Sequence, residues 1–213
     1  MMPADPHMIG IAGPSCSGKS EIAGYLMKQF SGMNPVVLTL DAYYHDLSHL
    51  DPAVRERRNF DVPEALNHEL LREQLLALAH GNAIDKPVYD FATHTCSPQS
   101  ERVIPGDMVV VEGLFALYWE EIRDLFHTRV FVAINDQVCL SRRIERDTKE
   151  RGRSRESVLS QYTETVRPMN EEYILPTEIF ADLVVNGENL LAQSAALITA
   201  YVRGIENSNQ VRG

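Results

Sequence analysis

A chain of 213 residues with 44% hydrophobic content is long enough to bury one sizeable core and falls within the range of one compact domain. Its formal charge of -10 and pI near 5.1 exclude a broad nucleic-acid or anionic-membrane surface, which needs a net basic face for counterion release. The longest apolar runs, such as Met108 to Val111, fall far short of the ~20 residues of a membrane span. The segment Met1 to His7 lacks the basic patch, apolar stretch and cleavage site of a secretory signal, so a cytoplasmic setting is expected. Cys16, Cys96 and Cys139 are scattered and form no CxxC pair, which speaks for reduced thiols and against a disulfide framework or structural zinc.

Short apolar runs alternate with longer helical patterns, and that alternation predicts a five-stranded parallel α/β sheet with helices on both faces. Met8 to Ala12 reads as the first strand. A glycine-rich loop follows, then a helix to about Phe30 with Ile22, Leu26 and Phe30 on one face. Val36 to Leu40 is a continuous apolar strand, as expected for one buried on both sides. Pro63 to His80 has a leucine-rich helical pattern with Pro63 in its first turn and Gly81 past its end. Residues 84 to 105 carry two strand-like runs that can pair as an inserted hairpin. Met108 to Val111, Arg129 to Ile134 and Ala181 to Val185 complete the five strands. Helices are expected from about Gln137 to Arg151, Ser154 to Val166 and Leu190 to Ile205, with a flexible tail over 206 to 213.

The order Gly13-Pro14-Ser15-Cys16-Ser17-Gly18-Lys19-Ser20 fits GxxxxGKS, placed between a strand and a helix as that motif requires. Gly13 and Gly18 permit backbone conformations that turn successive N–H groups, those of Ser15, Cys16 and Ser17 among them, toward an anion at a helix N-terminus. Lys19 supplies charge for β- and γ-phosphates, and Ser20 a hydroxyl for Mg2+. Cys16 has two readings: a small residue that fits the loop, or a thiol made reactive by the helix N-terminus when nucleotide is absent.

Ligands of parallel α/β sheets gather at the carboxyl ends of the strands. Asp41 follows the second strand and Glu112 the strand at Met108 to Val111. Phosphoryl transfer needs one acidic group for magnesium and one carboxylate to orient and deprotonate an acceptor hydroxyl. No NKxD and no DxxG after a strand is present, so a small-molecule kinase fits better than a GTPase switch.

Further motifs, in matching order and spacing, are Asp41-Ala42-Tyr43-Tyr44-His45-Asp46-Leu47-Ser48, Asn59-Phe60-Asp61-Val62-Pro63-Glu64-Ala65, Pro87-Val88-Tyr89-Asp90-Phe91 and Glu112-Gly113. Leu140-Ser141-Arg142-Arg143-Ile144-Glu145-Arg146-Asp147, Glu150-Arg151-Gly152-Arg153 and Ser160-Gln161-Tyr162 continue the series. With these the chain resembles the uridine-cytidine kinases of the phosphoribulokinase/uridine kinase family, from Ile9 to about Val185.

The resemblance implies a phosphate-loop kinase domain with a nucleoside-binding hairpin and a helical lid at about 142 to 166. ATP is the implied donor, with GTP as an alternative, together with Mg2+. Uridine and cytidine are the implied acceptors, and a homotetramer the implied assembly. Asp41 then matches the catalytic base and Glu112 the magnesium-associated acid. Asp61 matches the residue that holds the ribose hydroxyls, although Asp61 and Glu64 also read as a capping box for a helix starting at Pro63. Tyr89 and Phe91 share a strand face by period two; with Tyr44 and His94 they match positions that contact the nucleoside. An imidazole can serve either pyrimidine through its tautomers. Arg143, Arg153 and Gln161 match the nucleoside side of the lid, and Arg146 and Arg151 the phosphate side. The pairs Glu145/Lys149 and Asp147/Arg151 have the spacing of an exposed, salt-laced helix, but five arginines at one helix and its exit exceed that explanation.

Two segments depart from the family pattern. Val132-Ala133-Ile134-Asn135-Asp136 lacks the aspartates expected at that turn, and Val185-Asn186-Gly187-Glu188-Asn189 lacks the usual proline and arginine, which bears on the adenine side. Rival readings are a phosphoribulokinase-like or pantothenate-kinase-like enzyme, and a non-catalytic ATP-binding regulator.

Overall fold

The computed structural model describes residues 5–210; Met1 to Ala4 of the segment read for a signal, and 211 to 213 of the expected tail, lie outside the described residues. The elements in chain order are β1 His7–Ala12, α1 Lys19–Gln29, β2 Val36–Thr39, α2 Pro52–Arg55, α3 His68–Ala79, β3 Ile84–Asp90, β4 Thr95–Val103 and β5 Met108–Glu112. They continue with α4 Glu120–Arg123, β6 Thr128–Ala133, α5 Asp136–Glu150, α6 Arg155–Gln161, α7 Arg167–Met169, β7 Leu183–Asn186 and α8 Leu191–Gln210. Among the described residues no helix is long and apolar enough to cross a membrane.

Five strands form one parallel sheet in the order β2-β5-β1-β6-β7. Period-two alternation divides the core between its faces. Ile9, Ile11, Met108 and Val110 pack with Ile22, Leu26 and Phe30 of α1 and with Ala195, Ile198 and Val202 of α8. Met8, Val109, Val111 and Leu38 pack on the other face with Leu71, Leu75 and Leu78 of α3. Central strands buried on both sides explain why their sequences are continuously apolar. The pairing Thr39↔Glu112 brings the ends of β2 and β5 level, directly beside the loop that follows β1.

The inserted hairpin is an antiparallel pair, β3 and β4, with Tyr89 opposite Cys96 and an irregular register between Pro87 and Tyr89. The helix expected from Pro63 begins later. Pro63–Ala65 forms one 3-10 turn with no side-chain cap, and α3 starts at His68 with the Asn67 side chain accepting from Leu70 N–H. Tertiary pairing overrides the local pattern here. Leu66 is buried and extended, bridges Tyr44, and Asn67 N–H donates to the Tyr43 carbonyl at 2.8 Å. Asp61 therefore caps no α-helix, and the capping-box reading falls. The helix expected over Ser154 to Val166 is α6 up to Gln161 and a π-helical stretch, Tyr162–Val166. At the end of the chain α8 passes Ile205 and reaches Gln210, so 206 to 210 are helical.

Candidate active site

The loop after β1 turns through Gly13 at φ 144 and Gly18 at φ 101, with Cys16 between them at φ 62. A Cβ on Gly13 would lie 2.5 Å from the Val132 carbonyl oxygen, so glycine is required there by space as well as by dihedral. Gly187 meets the loop from the other side, where a Cβ would lie 2.2 Å from the Ser17 carbonyl oxygen. Ser15 and Cys16 are fixed from α5: the Cys139 thiol donates to the Ser15 carbonyl at 2.8 Å, and Arg142 donates to the carbonyls of Gly187 (2.9 Å) and Cys16 (3.4 Å). Lys19 is buried, and its ammonium donates to the carbonyls of Gly13 (2.9 Å) and Pro14 (2.8 Å). Burial lowers its pKa, opposed by the Glu112 and Asp41 carboxylates. The Ser17 hydroxyl is buried without a hydrogen-bond partner among the described residues. The helix α1 leads away from this loop with the Ile22 N–H bonded to the Gly18 carbonyl, so its N-terminal N–H groups and dipole face the loop.

Glu112, the last residue of β5, is buried and accepts from the Ser20 hydroxyl at 3.2 Å. Asp41 follows β2, with its N–H held by the Thr39 side chain at 3.3 Å. Burial and the neighbouring Glu112 push the Asp41 carboxyl up to about 6, against the pull of Lys19, Arg151 and Arg146. The Ser20 hydroxyl and the Glu112 carboxylate at a phosphate-binding loop form an oxygen donor pair that suits Mg2+, which takes one or two carboxylates plus substrate phosphates and keeps several waters. Among the described residues there is no group of three or more His, Cys, Asp or Glu side chains arranged as a dedicated metal cage.

Beside Asp41 lies an aromatic enclosure. Tyr44 is buried and contacts Phe60, Tyr89 and Phe91 with ring centroids 5.6, 5.4 and 6.0 Å apart. Tyr89 and Phe91 meet edge to face at 5.1 Å, as their spacing predicted, although Phe91 sits one residue past β3 and is 43% exposed. His94 adopts φ 55 in the hairpin turn and stacks on Phe60 at 4.5 Å. Its turn is held from outside: Leu47 N–H donates to the His94 carbonyl, and Arg55 donates to the carbonyls of Thr93, Ser48 and Leu50. Burial lowers the His94 pKa. The Tyr89 hydroxyl and His94 Nδ1 are buried and lack a hydrogen-bond partner among the described residues, a state that polar atoms seldom hold without a ligand or water. Asp61 is buried, and burial raises its pKa against the pull of Arg143, Arg146 and Arg151.

The lid residues come together. The Gln161 side-chain oxygen accepts from both Arg143 and Arg153, joining α6 to α5 and to the turn between them. Arg151 lies over the Phe91 ring at 5.8 Å. Glu145 and Lys149 form the expected exposed pair at 2.7 Å. Asp147 does not belong to that surface: it is wholly buried and within ion-pair distance of Arg143, Arg146, Arg151 and Arg153. The i,i+4 spacing that suggested a solvated pair instead marks the centre of the arginine cluster. Sequence reasoning also passed over Phe60 as a ring partner of His94; its place directly before Asp61 was the available signal.

On the outer side of the loop, Ser17 to Ile22, Arg142, Arg146, Gly187, Asn189, Leu191 and Ser194 line a cleft of about 650 Å³. The two departing turns lie together at its edge, where Asn135 N–H donates to the Glu188 carboxylate at 3.0 Å and Gly187 N–H to the Ala133 carbonyl at 2.8 Å.

A strand–loop–helix phosphate cradle, acidic residues at the ends of two neighbouring strands and an arginine lid define an ATP-dependent phosphotransferase, a P-loop kinase. The model of the phosphoribulokinase / uridine kinase family matches residues 8–190, and the chain belongs to that family. It is 42% identical to a uridine kinase of Deinococcus deserti over 198 residues, covering 93% of this chain and 96% of the relative. A uridine kinase of Vibrio cholerae is also 42% identical, over 87% of this chain and 90% of its own. Among solved structures, phosphoribulokinase from Rhodobacter spheroides shares the fold with a TM-score of 0.66 at 15% identity, covering 88% of this chain and 74% of its own. A possible uridine kinase from Bacillus stearothermophilus does so with a TM-score of 0.54 at 22% identity, covering 86% of this chain and 90% of its own.

Proposed function

We propose that the chain transfers the γ-phosphoryl group of ATP, with GTP as an alternative donor, to the 5′-hydroxyl of uridine or cytidine. The observation that carries this reading is the aromatic enclosure of Tyr44, Phe60, Tyr89, Phe91 and His94 beside Asp41 and Asp61, with two polar atoms awaiting partners. A pyrimidine has faces to stack there and edge groups to satisfy the Tyr89 hydroxyl and His94 Nδ1; a sugar phosphate or pantothenate has no comparable ring. The relatives named uridine kinases support the same acceptor.

In this reading Asp61 accepts from the ribose hydroxyls, while Arg143, Arg153 and Gln161 close over the nucleoside. Asp41, with its pKa near 6, is ionised at neutral pH yet basic enough to take the proton of the 5′-hydroxyl as it attacks in line. The loop N–H groups, Lys19, Arg146 and Arg151 stabilise charge on the migrating group, and the closed lid keeps water from competing as acceptor. Ser20 and Glu112 hold Mg2+, which when bound neutralises phosphate charge. A cytoplasmic homotetramer belongs to the same reading.

The test is ADP release from ATP with uridine, cytidine, ribulose 5-phosphate or pantothenate as acceptor. Release that depends on the nucleosides alone is the expected result; release with the sugar phosphate or pantothenate instead replaces the acceptor, and nucleoside-independent binding without turnover makes the chain a regulator.

A further inference from the structure

We propose that Asp147 is a positioning residue that holds the nucleoside-side and phosphate-side arginines of the lid to one another, so that the lid closes over both substrates as one unit. The inference rests on the kinase reading above and concerns a residue that touches neither substrate in it.

The carboxylate of Asp147 has no solvent exposure. Arg146 Nε donates to its Oδ1 at 2.9 Å, and Arg151 Nε lies 3.7 Å from the same oxygen. Arg143 Nε and Arg153 Nη1 lie 3.7 and 3.6 Å from Oδ2. The backbone repeats the arrangement, because the N–H groups of Arg151 and Arg153 both donate to the Asp147 carbonyl, at 3.3 and 3.1 Å. Gly152 at φ 64 turns the chain between them. Two residues on the helix and two beyond its end thus share one anchor.

Only one of these four contacts is a hydrogen bond. Among the described residues Oδ2 of Asp147 and Nε of Arg143 are buried with no hydrogen-bond partner, so the carboxylate itself holds three of the guanidiniums by charge alone. Their direction comes from elsewhere: Gln161 accepts from Arg143 and Arg153, and Ser157 from Arg153, so the buried carboxylate gathers the arginines and its neighbours aim them. One carboxylate among four guanidiniums also leaves the cluster strongly positive, and a buried charge is stable only when compensated. Asp61, electrostatically coupled to Arg143, Arg146 and Arg151, supplies part of the missing negative charge from the nucleoside side, and the triphosphate supplies the rest when it binds.

The sign of the electrostatics gives a test that simple loss of structure does not mimic. In Asp147→Asn the anchor is lost but the lid becomes more positive. The nucleoside Michaelis constant should rise about tenfold, that for ATP should stay level or fall, and kcat should drop at least about tenfold. A merely structural role predicts that both Michaelis constants rise together. An unchanged nucleoside constant, or a parallel rise in both, overturns the proposal. Thermal unfolding of the variant is followed alongside. If the charge imbalance prevents folding, Asp147→Asn is combined with Arg151→Gln, which removes one of the more exposed guanidiniums, and is compared with Arg151→Gln alone. The added asparagine should still raise the nucleoside constant about tenfold, and equal constants in the two proteins overturn the proposal. Wild-type protein is assayed first: absence of nucleoside-dependent turnover there removes the kinase reading itself, and is distinct from either variant result.

Discussion

The Ser20 hydroxyl donates to the Glu112 carboxylate over 3.2 Å, tying the first turn of α1 to the last residue of β5. The contact joins the two side chains proposed to hold Mg2+ and sets them beside Lys19. Glu112→Gln keeps the size and can still accept the hydroxyl proton, but it removes a charge that a hard cation prefers. The magnesium concentration for half-maximal activity should rise by roughly tenfold or more, with the nucleoside Michaelis constant unchanged. A magnesium titration that overlays the wild-type curve separates Glu112 from the metal.

Asp41→Asn should retain ATP binding and lose about 10²–10⁴-fold in turnover, because the shape stays and proton acceptance goes. The wild-type carboxyl, raised to about 6 by burial and Glu112, must be ionised to act. kcat/KM should therefore climb by about tenfold per pH unit below 6 and level off above it. A folded-state pKa above the unfolded one also means that the ionised carboxylate costs stability at neutral pH, so the asparagine variant should unfold at the same or a higher temperature at pH 7. Turnover near the wild-type level in Asp41→Asn contradicts the role.

His94→Ala removes both the ring stacked on Phe60 and a buried nitrogen that lacks a partner among the described residues. The nucleoside Michaelis constant should increase by about tenfold and that of ATP should move little. Steady-state kinetics with each substrate varied in turn decides this, and equal changes in both constants place His94 outside the acceptor pocket.

The sheet strands were legible because burial on both faces makes their sequences continuously apolar, and the phosphate loop because its glycines, lysine and serine have fixed spacing. Where the chain leaves regular structure through long-range pairing, local pattern misled. Pro63 opens only one turn because Leu66 is drawn into a bridge with Tyr44. Asp147 read as half of a surface pair because i,i+4 spacing is the same on a solvated helix and on one whose face is covered. The two departing turns looked independent in sequence and are hydrogen-bonded neighbours in space. Hydrophobic period carries the fold, whereas the site depends on contacts between residues far apart along the chain.

His7 opens the central strand β1, at the end of the sheet opposite the site. Its Nε2 is 3.1 Å from the Thr128 hydroxyl and its ring stacks on His127 at 5.1 Å. Burial, and secondarily His127, lowers its pKa to about 4. The folded value lies below the unfolded one, so His7 is neutral in the fold; its contribution is complete above about pH 6.5 and declines as pH falls toward 4. His7→Gln removes the titration while keeping a hydrogen-bonding side chain, so its unfolding free energy should fall less steeply than that of wild type across this window, by an amount of the order of 1–3 kcal/mol. Parallel curves, measured by urea unfolding at several pH values, rule out the protonation of His7 as a source of acid sensitivity.

Nucleoside phosphorylation is tested by kcat/KM for ATP-dependent phosphorylation of uridine beside that of 2′-deoxyuridine. With the buried Asp61 left without one ribose partner, the deoxynucleoside should be at least ~100-fold poorer, within the up to ~10⁵-fold range reached when a site's buried polar group loses its ligand. Uridine should be converted efficiently to its 5′-monophosphate with that discrimination; no uridine-dependent ADP rules out the kinase function, and equal turnover of the two nucleosides rules out the ribose contact of Asp61.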